Sequence, residues 1–354
     1  MSYPNHGCSD EMKSFLLDLP KCEHHLHLEG TLGPELLFPL AKRNNISFPD
    51  DFPKTEEELA DTYEKFEGLD GFLKYYYISM AVLITEQDFF DLAWTYFTRV
   101  HKEGLVHAEV FFDPQGHTDR GVHIDVVVSG FKKACIKAEN ELGISTKLIM
   151  CLLRHMPVSH CEETIQDSKK HFENGTIQGL GLDSSEANFP PELFIECYKT
   201  VSGFHPDVKL TAHAGEESGA INVVTALDKL NVTRIDHGIN SVEDPELMKR
   251  LSDEKVMLTI CPVSNWKIQL VKDISELPFQ KLLDADVPFS INSDDPAYFR
   301  NYILDTFILV QKSFGWDMKT WVKISKNSIR GSWMEPERMK LLEDKVDQIY
   351  AKYN

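Results

Sequence analysis

Two histidines separated by one residue are the first candidates for chemistry in this sequence. His25 and His27 lie in the segment 21–28, which has the length of a strand. Side chains two positions apart on a strand point to the same face, so both imidazoles can bind one ion, while His24 faces the other way. Because an HxH pair also occurs among hydrogen-bonded core residues, the rest of the chain must decide between a metal site and a structural role.

Three later segments end in residue types that serve hydrolytic metal centres. These residues are His213 and Glu216 in TAHAGEESG, His237 in RIDHGIN, and Asp294 and Asp295 in FSINSDDPAYF. Taken singly, each has a structural alternative: a buried histidine, an acid at a helix start, or a carboxylate in an Asp-Pro turn. Three imidazoles, or two with a carboxylate, are what a metal needs to activate water if one position stays open.

The elements that must position these residues follow from hydrophobic periodicity. Short segments rich in Val, Ile, Leu and Phe alternate with segments of helical periodicity, which predicts a parallel α/β sheet covered by helices. The eight predicted strands are 21–28, 105–113, 146–154, 177–183, 209–214, 234–239, 257–261 and 287–292. Closure into a (β/α)₈ TIM barrel would bring the candidates from the first, fifth, sixth and eighth strands to one mouth.

The interval after the first strand, about 30–104, is too long for one crossover helix. Helical stretches at 72–84 and 89–103 predict a helical insertion at the mouth of the barrel, where it can form a lid. The segments 301–314, 318–326 and 336–352 predict extra C-terminal helices. No Gly- or Ser-rich linker divides the chain, so we expect residues 1–354 to form a single domain.

Composition limits the partners and the compartment. The formal net charge is −19, from 37 Lys and Arg against 56 Asp and Glu, which disfavours binding to polymeric nucleic acid. The seven cysteines have no CxxC spacing, so we expect reduced thiols and no thiolate zinc site. The N-terminus lacks signal-peptide features, and no segment has the ~18 apolar residues of a membrane span. We therefore expect a soluble, cytoplasmic protein that does not bind membranes; nuclear entry and oligomeric state stay open.

The triplet His107-Ala108-Glu109 matches half of the HxE…PCxxC signature of another class of zinc deaminase. The PCxxC half is absent, and the triplet lies inside a predicted apolar strand, so we interpret it as structural. The chain also lacks HExxH, GxxxxGK[ST] and GxSxG, and GLGLDS lacks the third glycine of a dinucleotide-binding fingerprint. These absences argue against zincin proteases, P-loop nucleotide hydrolases and Rossmann dehydrogenases. The aromatic run Tyr75-Tyr76-Tyr77 could line a lid above a flat base, but we favour packing within the insertion.

The ordered series HLH, HAGE, DHG and SDDP, at 25–27, 213–216, 236–238 and 293–296, covers most of the chain. It resembles the adenosine and adenine deaminase family of metal-dependent hydrolases. Within that family, LPKCEHHLHLEGTLGPELLFPLAKRN and CPVSNWKI resemble the fungal adenine deaminases. The resemblance implies a TIM-barrel hydrolase of purine salvage that converts adenine to hypoxanthine and ammonia, with one Zn²⁺ per chain.

The resemblance also implies a role for each candidate residue. The zinc ligands would be His25, His27, His213 and Asp294. Glu216 would give a proton to the ring nitrogen next to the amino-bearing carbon, and His237 would orient and deprotonate the attacking water. Asp295 would accept a hydrogen bond from an imidazole-ring nitrogen of the purine.

Two further positions bear on the choice of substrate. Adenosine deaminases carry Asp where this chain has Glu29 and use it to bind the ribose; a longer acid there would reach into the sugar space, which favours the free base. Ser185 stands where they have a glycine whose backbone meets the six-membered ring. Both residues are candidates for substrate contact. The open alternatives are an adenosine or N6-modified AMP deaminase and, from another class, a non-catalytic purine-binding protein.

Overall fold

An eight-stranded parallel sheet forms the centre of the molecule. The computed structural model describes residues 3–66 and 68–354. The strands are β1 (Lys21–Glu23), β2 (Leu105–Phe112), β3 (Ser145–Leu153), β4 (Gly179–Asp183), β5 (Lys209–Ala214), β6 (Arg234–His237), β7 (Met257–Ile260) and β8 (Phe289–Ile291). They pair in chain order from β1 to β8, and each pair is parallel. The predicted TIM barrel is confirmed.

The barrel closes through residues that follow β1 and β8. Leu26 and Asp294 form a parallel bridge. The backbone N–H of Asp294 donates to the carbonyl oxygen of His25 at 3.1 Å, and that of His27 donates to the carbonyl oxygen of Asp294 at 3.0 Å. The predicted first strand, 21–28, is therefore wrong in extent. Regular pairing ends at Glu23, because beyond it the chain makes only single bridges to its neighbours.

Four helices occupy the interval in which the sequence predicts an insertion. Helix α1 (Asp10–Asp18) precedes β1, and α2 (Pro34–Arg43), α3 (Glu56–Tyr63), α4 (Gly68–Met80) and α5 (Glu86–His101) lie between β1 and β2. Helix α4 ends before the predicted helix at 72–84 does. Thr85 is the extended N-cap of the next helix, α5, and its side chain accepts a hydrogen bond from the backbone N–H of Asp88, so the chain leaves the helical conformation before residue 85.

The remaining helices connect the later strands and close the chain. They are α6 (Gln115–Thr118), α7 (Ile124–Lys137), α8 (Val158–Glu173), α9 (Ile195–Ser202), α10 (Ala220–Thr225), α11 (Pro245–Asp253), α12 (Pro262–Lys267), α13 (Phe279–Asp284), α14 (Pro296–Phe299), α15 (Ile303–Phe314), α16 (Met318–Arg330) and α17 (Pro336–Tyr353). Short 3₁₀ segments occur at Glu29–Thr31, Pro191–Phe194, Ile239–Glu243 and Ile274–Glu276, and π segments at Ala138–Leu142 and Ala226–Leu230. Helices α15, α16 and α17 lie where the sequence predicts the C-terminal helices.

A continuous hydrophobic cluster joins the strands to the surrounding helices. All seven cysteines are free thiols, and six of them are buried within the fold. Among residues 3–66 and 68–354, no helix combines the length and apolar character needed to cross a membrane.

A buried ion pair crosses the inside of the barrel. The Glu109 carboxylate on β2 pairs with the guanidinium of Arg234, which begins β6, and its Oε1 lies 2.9 Å from His107 Nε2. The Arg234 guanidinium also stacks on the Trp333 ring at 3.8 Å from its centroid. The side chains of His107 and Glu109 thus pack inside the barrel, which agrees with the structural interpretation of the HAE triplet.

We expect Glu109→Gln to lower the free energy of unfolding by about 3–5 kcal/mol, because it leaves the buried Arg234 charge without its counter-ion. Urea denaturation of the purified variants measures the change. The exposed Glu139→Gln is the matched control and should stay within about 0.5 kcal/mol of the parent protein. A loss below about 1 kcal/mol in Glu109→Gln would contradict a structural role for this pair.

Candidate active site

Three histidines and one aspartate converge at the C-terminal mouth of the barrel. One side-chain atom from each of His25, His27, His213 and Asp294 lies within 4.8 Å of the others, and all four residues are buried. His27 Nε2 lies 3.3 Å from His213 Nε2, and His25 Nε2 lies 3.2 Å from Asp294 Oδ1. The structure therefore brings together the four residues that the sequence identifies as candidate metal ligands.

This donor set fits a divalent metal ion. His25 Nε2 is buried and makes no hydrogen bond, and the facing nitrogens of His27 and His213 can direct lone pairs at one ion. Burial, followed by the neighbouring imidazoles, holds the pKa of His213 well below its ordinary value. The ring is thus neutral, which is the form that binds metals. Three imidazoles and one carboxylate are a ligand set that suits zinc.

Polar residues behind the cluster orient its imidazoles. His25 Nδ1 lies 2.9 Å from Thr259 Oγ1, whose hydroxyl donates to Asp236 Oδ1 at 3.0 Å. The Thr211 hydroxyl donates to Asp236 Oδ2 at 2.7 Å, and that oxygen lies 3.8 Å from His213 Nδ1. Hydrogen bonding at Nδ1 leaves Nε2 of the same ring free to bind a metal. Sequence analysis missed Asp236 and Thr259, because only the barrel places β6 and β7 behind His25.

Two residues of the site adopt left-handed backbone conformations. His237 has φ +62° and Asp294 has φ +64°. This conformation is unfavourable for residues other than glycine and concentrates at functional sites, where the surrounding structure maintains it. At the ends of β6 and β8 it lets both side chains line the mouth of the barrel.

Glu216 and His237 form an acid and base pair beside the metal cluster. His237 Nε2 lies 3.4 Å from Glu216 Oε2 and 3.9 Å from Asp294 Oδ2. The Asn265 amide donates to Glu216 Oε1 at 3.1 Å. Burial, then the nearby Asp294, raises the pKa of Glu216 well above its ordinary value, while burial lowers that of His237. One group therefore holds a proton and the other can accept one.

A second carboxylate, which sequence analysis overlooked, positions the loop that carries Glu216. The Glu186 carboxylate accepts hydrogen bonds from the backbone N–H groups of Gly215 at 2.9 Å, Glu216 at 3.1 Å, Glu217 at 3.1 Å and Ser218 at 2.8 Å. Arg154 donates to the carbonyl oxygen of His213 at 2.9 Å. These bonds hold the turn after β5 in one conformation. No local sequence pattern marks Glu186, because its partners are main-chain groups from another strand.

Asp295 packs against the turn after β1. A Cβ atom on Gly30 would lie 2.1 Å from Asp295 Oδ1, so only glycine permits this approach. In the described part of the chain, Asp295 Oδ1 is buried without a hydrogen-bond partner. Burial, followed by the adjacent Asp294 carboxylate, raises the pKa of Asp295 well above its ordinary value.

A cavity lies over these groups. Its walls are Leu69, Phe72, Leu73, Tyr76 and Tyr77 of α4, together with His27, Asp113, Leu153, Asp183, Ser184, His213, Glu216, His237, Ser264, Asp294 and Asp295. Helix α4 thus forms one wall. The packing interpretation of the aromatic run describes Tyr75, which contacts the rings of Phe52 and Phe66. Tyr76 and Tyr77 instead line the cavity, in agreement with the alternative reading of the run.

The two further candidates for substrate contact lie outside the cavity wall in the described part of the chain. Glu29 Oε1 lies 2.8 Å from His117 Nε2 and accepts the backbone N–H of Asp113 at 3.2 Å. The Ser185 hydroxyl donates to Glu217 Oε2 at 3.1 Å. The preceding residue, Ser184, is the serine that lines the cavity.

The barrel, the four converging candidate metal ligands and the adjacent Glu216 and His237 are the features of a TIM-barrel hydrolase. The family model described as adenosine deaminase matches residues 20–349. The chain belongs to the adenosine deaminase family.

Relatives in this family match almost the whole chain. An adenine deaminase of Saccharomyces cerevisiae is 60% identical over 341 residues, which cover 96% of this chain and 98% of the yeast protein. One from Kluyveromyces lactis is 57% identical over 346 residues, with 98% of each chain covered. The crystal structure of an adenine deaminase from Arthrobacter aurescens superposes with a TM-score of 0.89 at 40% identity, and the match covers 94% of this chain and 99% of that one.

Proposed function

We propose that this protein hydrolyses adenine to hypoxanthine and ammonia, with one zinc ion held by His25, His27, His213 and Asp294. The observation that carries the proposal is the placement of Glu216 and His237, 3.4 Å apart, beside those four ligands at the base of a cavity. The relatives described as adenine deaminases, which match nearly the full chain, support the choice of substrate.

The chemistry needs a nucleophile, a proton donor and a proton acceptor. When bound, zinc supplies the nucleophile, because it lowers the pKa of a water ligand from about 15.7 to about 7. Water adds to the amino-bearing carbon of the purine, and ammonia then leaves from that carbon to give hypoxanthine. The residues around the cavity must supply and remove the protons of both steps.

Glu216 and His237 divide this proton transfer. An aromatic ring resists addition, so Glu216 gives a proton to the adjacent ring nitrogen as water attacks, which keeps the adduct neutral. His237, a neutral imidazole within 3.4 Å of Glu216 Oε2, orients the attacking water and accepts its proton. His237 then passes that proton to the departing ammonia, and the hydroxyl proton of the adduct returns to the Glu216 carboxylate as the carbonyl of hypoxanthine forms. Asn265 holds Glu216 in place through the amide bond to its Oε1.

Asp295 orients the purine through N7. Sequence analysis treats Asp295 as an acceptor, but the raised pKa produced by its burial favours the protonated carboxyl group, which donates to an unprotonated N7. Its buried Oδ1 has no partner among the residues that the structure describes, so it is available for this contact. The bond would turn the six-membered ring toward Glu216.

We expect Asp295→Ala to lower kcat/KM for adenine about 10²-fold with unchanged metal content, because one hydrogen bond from a buried group is lost. Asp295→Asn should lower kcat/KM for adenine by a smaller factor, since its amide N–H can still donate to N7. Steady-state kinetics and metal analysis of both variants measure these effects. Loss of the metal would instead mean that Asp295 is a ligand, and equal losses in the two variants would contradict the donor role.

The lining of the cavity favours a free base over a nucleotide. Its described residues include no Lys or Arg, whereas a phosphate group requires cationic or N–H donors. A net charge of −19 also disfavours anionic substrates. These observations argue against the N6-modified AMP alternative. The seven free thiols favour a reducing compartment, so we place the activity in the cytoplasm.

A substrate panel tests the proposed function. The zinc-loaded protein is given adenine, adenosine, AMP and N6-methyl-AMP, and ammonia release is measured for each. We expect adenine to have the highest kcat/KM. A higher value for adenosine would overturn the substrate assignment, and purine binding without ammonia release would favour the non-catalytic alternative.

A further inference from the structure

Two carboxylates with no part in the proton transfer above also line the cavity. Asp113 follows β2 and Asp183 ends β4, and they are only 1% and 2% exposed. The Oδ1 atom of each is buried and has no hydrogen-bond partner among residues 3–66 and 68–354. Buried polar atoms in folded proteins nearly always have partners. Unpaired oxygens in the wall of a cavity therefore indicate a polar group on the ligand.

The other oxygen of each carboxylate faces a group of the protein. Asp183 Oδ2 lies 3.5 Å from His27 Nδ1, and Asp113 Oδ2 accepts the Tyr76 hydroxyl at 3.0 Å. In each side chain, Oδ2 thus faces a group of the protein, and Oδ1 stays available for a contact with a ligand.

The position of the pair in the barrel determines which edge of a purine it meets. Glu216, His237 and Asp294 come from the ends of β5, β6 and β8, whereas Asp113 and Asp183 come from β2 and β4. A purine whose amino-bearing carbon lies beside Glu216 presents the opposite edge, with N3 and N9, to the strands across the mouth. N9 carries a hydrogen in the free base and a sugar in a nucleoside.

The following inference rests on the proposed function. We propose that Asp183 is a specificity-determining residue whose Oδ1 accepts a hydrogen bond from the N9–H of the substrate. The site would then select purines that are unsubstituted at N9. A substituent on N9 removes the donor and at the same time places a carbon group against a buried oxygen. Sites built to hydrogen-bond a substrate group discriminate strongly against analogues that lack it.

With this assignment, Asp183 and not Glu29 is the residue that selects the free base. Glu29 makes its contacts with His117 and the backbone of Asp113 and lies outside the cavity wall. Asp183, in contrast, is one of the residues that line the cavity. Selection for the free base thus depends on Asp183, the last residue of β4.

The test compares adenine with 9-methyladenine, the smallest analogue that cannot donate from N9. We expect the parent protein, loaded with zinc, to prefer adenine by at least about 10³-fold in kcat/KM. Asp183→Ala should lower kcat/KM for adenine about 10²-fold and reduce the preference to about 10-fold or less. The exposed Asp207→Asn is the matched control and should keep both values. An unchanged preference in Asp183→Ala would overturn the proposal.

Binding and metal measurements separate this role from an indirect one through His27. Calorimetry of the zinc-loaded proteins should show that Asp183→Ala loses the preference for hypoxanthine over 9-methylhypoxanthine and still binds one zinc ion. Loss of zinc, with equal losses for both ligands, would overturn the proposal in favour of positioning His27. Two ions per parent chain would also overturn it, because His27, Asp113 and Asp183 could then hold the second ion. Failure of the parent protein to deaminate adenine would instead refute the proposed function.

Discussion

Replacing Glu216 with glutamine will lower kcat for adenine by about 10³-fold and leave the metal content unchanged. The amide cannot give up a proton to the ring nitrogen, and general acid catalysis contributes about 10²–10⁴-fold to such reactions. Glutamine keeps the size of the side chain and its bond from Asn265, whose amide donates to Glu216 Oε1 at 3.1 Å. The defect should therefore lie in kcat, with KM for adenine little changed.

The neighbouring Glu217 offers a matched control, since it is exposed. Glu217→Gln should alter kcat less than about threefold. The parent enzyme should also lose activity as the pH rises through the pKa of Glu216, which burial raises, because the acid must be protonated to act. A Glu216→Gln variant within tenfold of the parent kcat would show that the proton comes from another group.

Removal of the metal should abolish deamination, with a loss above about 10³-fold. Without an ion to acidify it, water is too poor a nucleophile at neutral pH to attack an aromatic ring. Dialysis against a chelator, followed by metal analysis and an ammonia assay, measures the loss. One equivalent of zinc should restore activity. Magnesium should not, because it prefers oxygen ligands to imidazole.

Substitution of a ligand should reproduce the effect of the chelator. His213→Ala removes one of the four convergent groups, and we expect it to lose both zinc and activity under conditions in which Asp295→Ala keeps its zinc. The apoprotein should also unfold at a lower temperature, since an ion that binds only the folded state stabilises it. Full activity in the metal-free parent protein would contradict the hydrolytic mechanism.

The candidate metal ligands and His237 could be predicted because each leaves a local pattern in the sequence. His25 and His27 show the two-residue spacing of an extended segment, and His213, His237 and Asp294 follow apolar runs. Once eight such runs are closed into a barrel, all five come to one mouth. The extent of the first strand was harder to predict, because the end of regular pairing depends on a bridge between Leu26 and Asp294, which are far apart in the chain.

The sequence by itself determined the barrel, the order of its strands and the residue types at their ends, because hydrophobic periodicity is local and closure follows from it. Only the tertiary structure decided that Glu186 anchors the turn bearing Glu216, that Asn265 contacts Glu216, and that Asp183 and not Glu29 lines the cavity. The reason is physical. These contacts join residues on different strands, and the direction of each side chain depends on backbone geometry that no short sequence pattern encodes, such as the φ of +64° at Asp294.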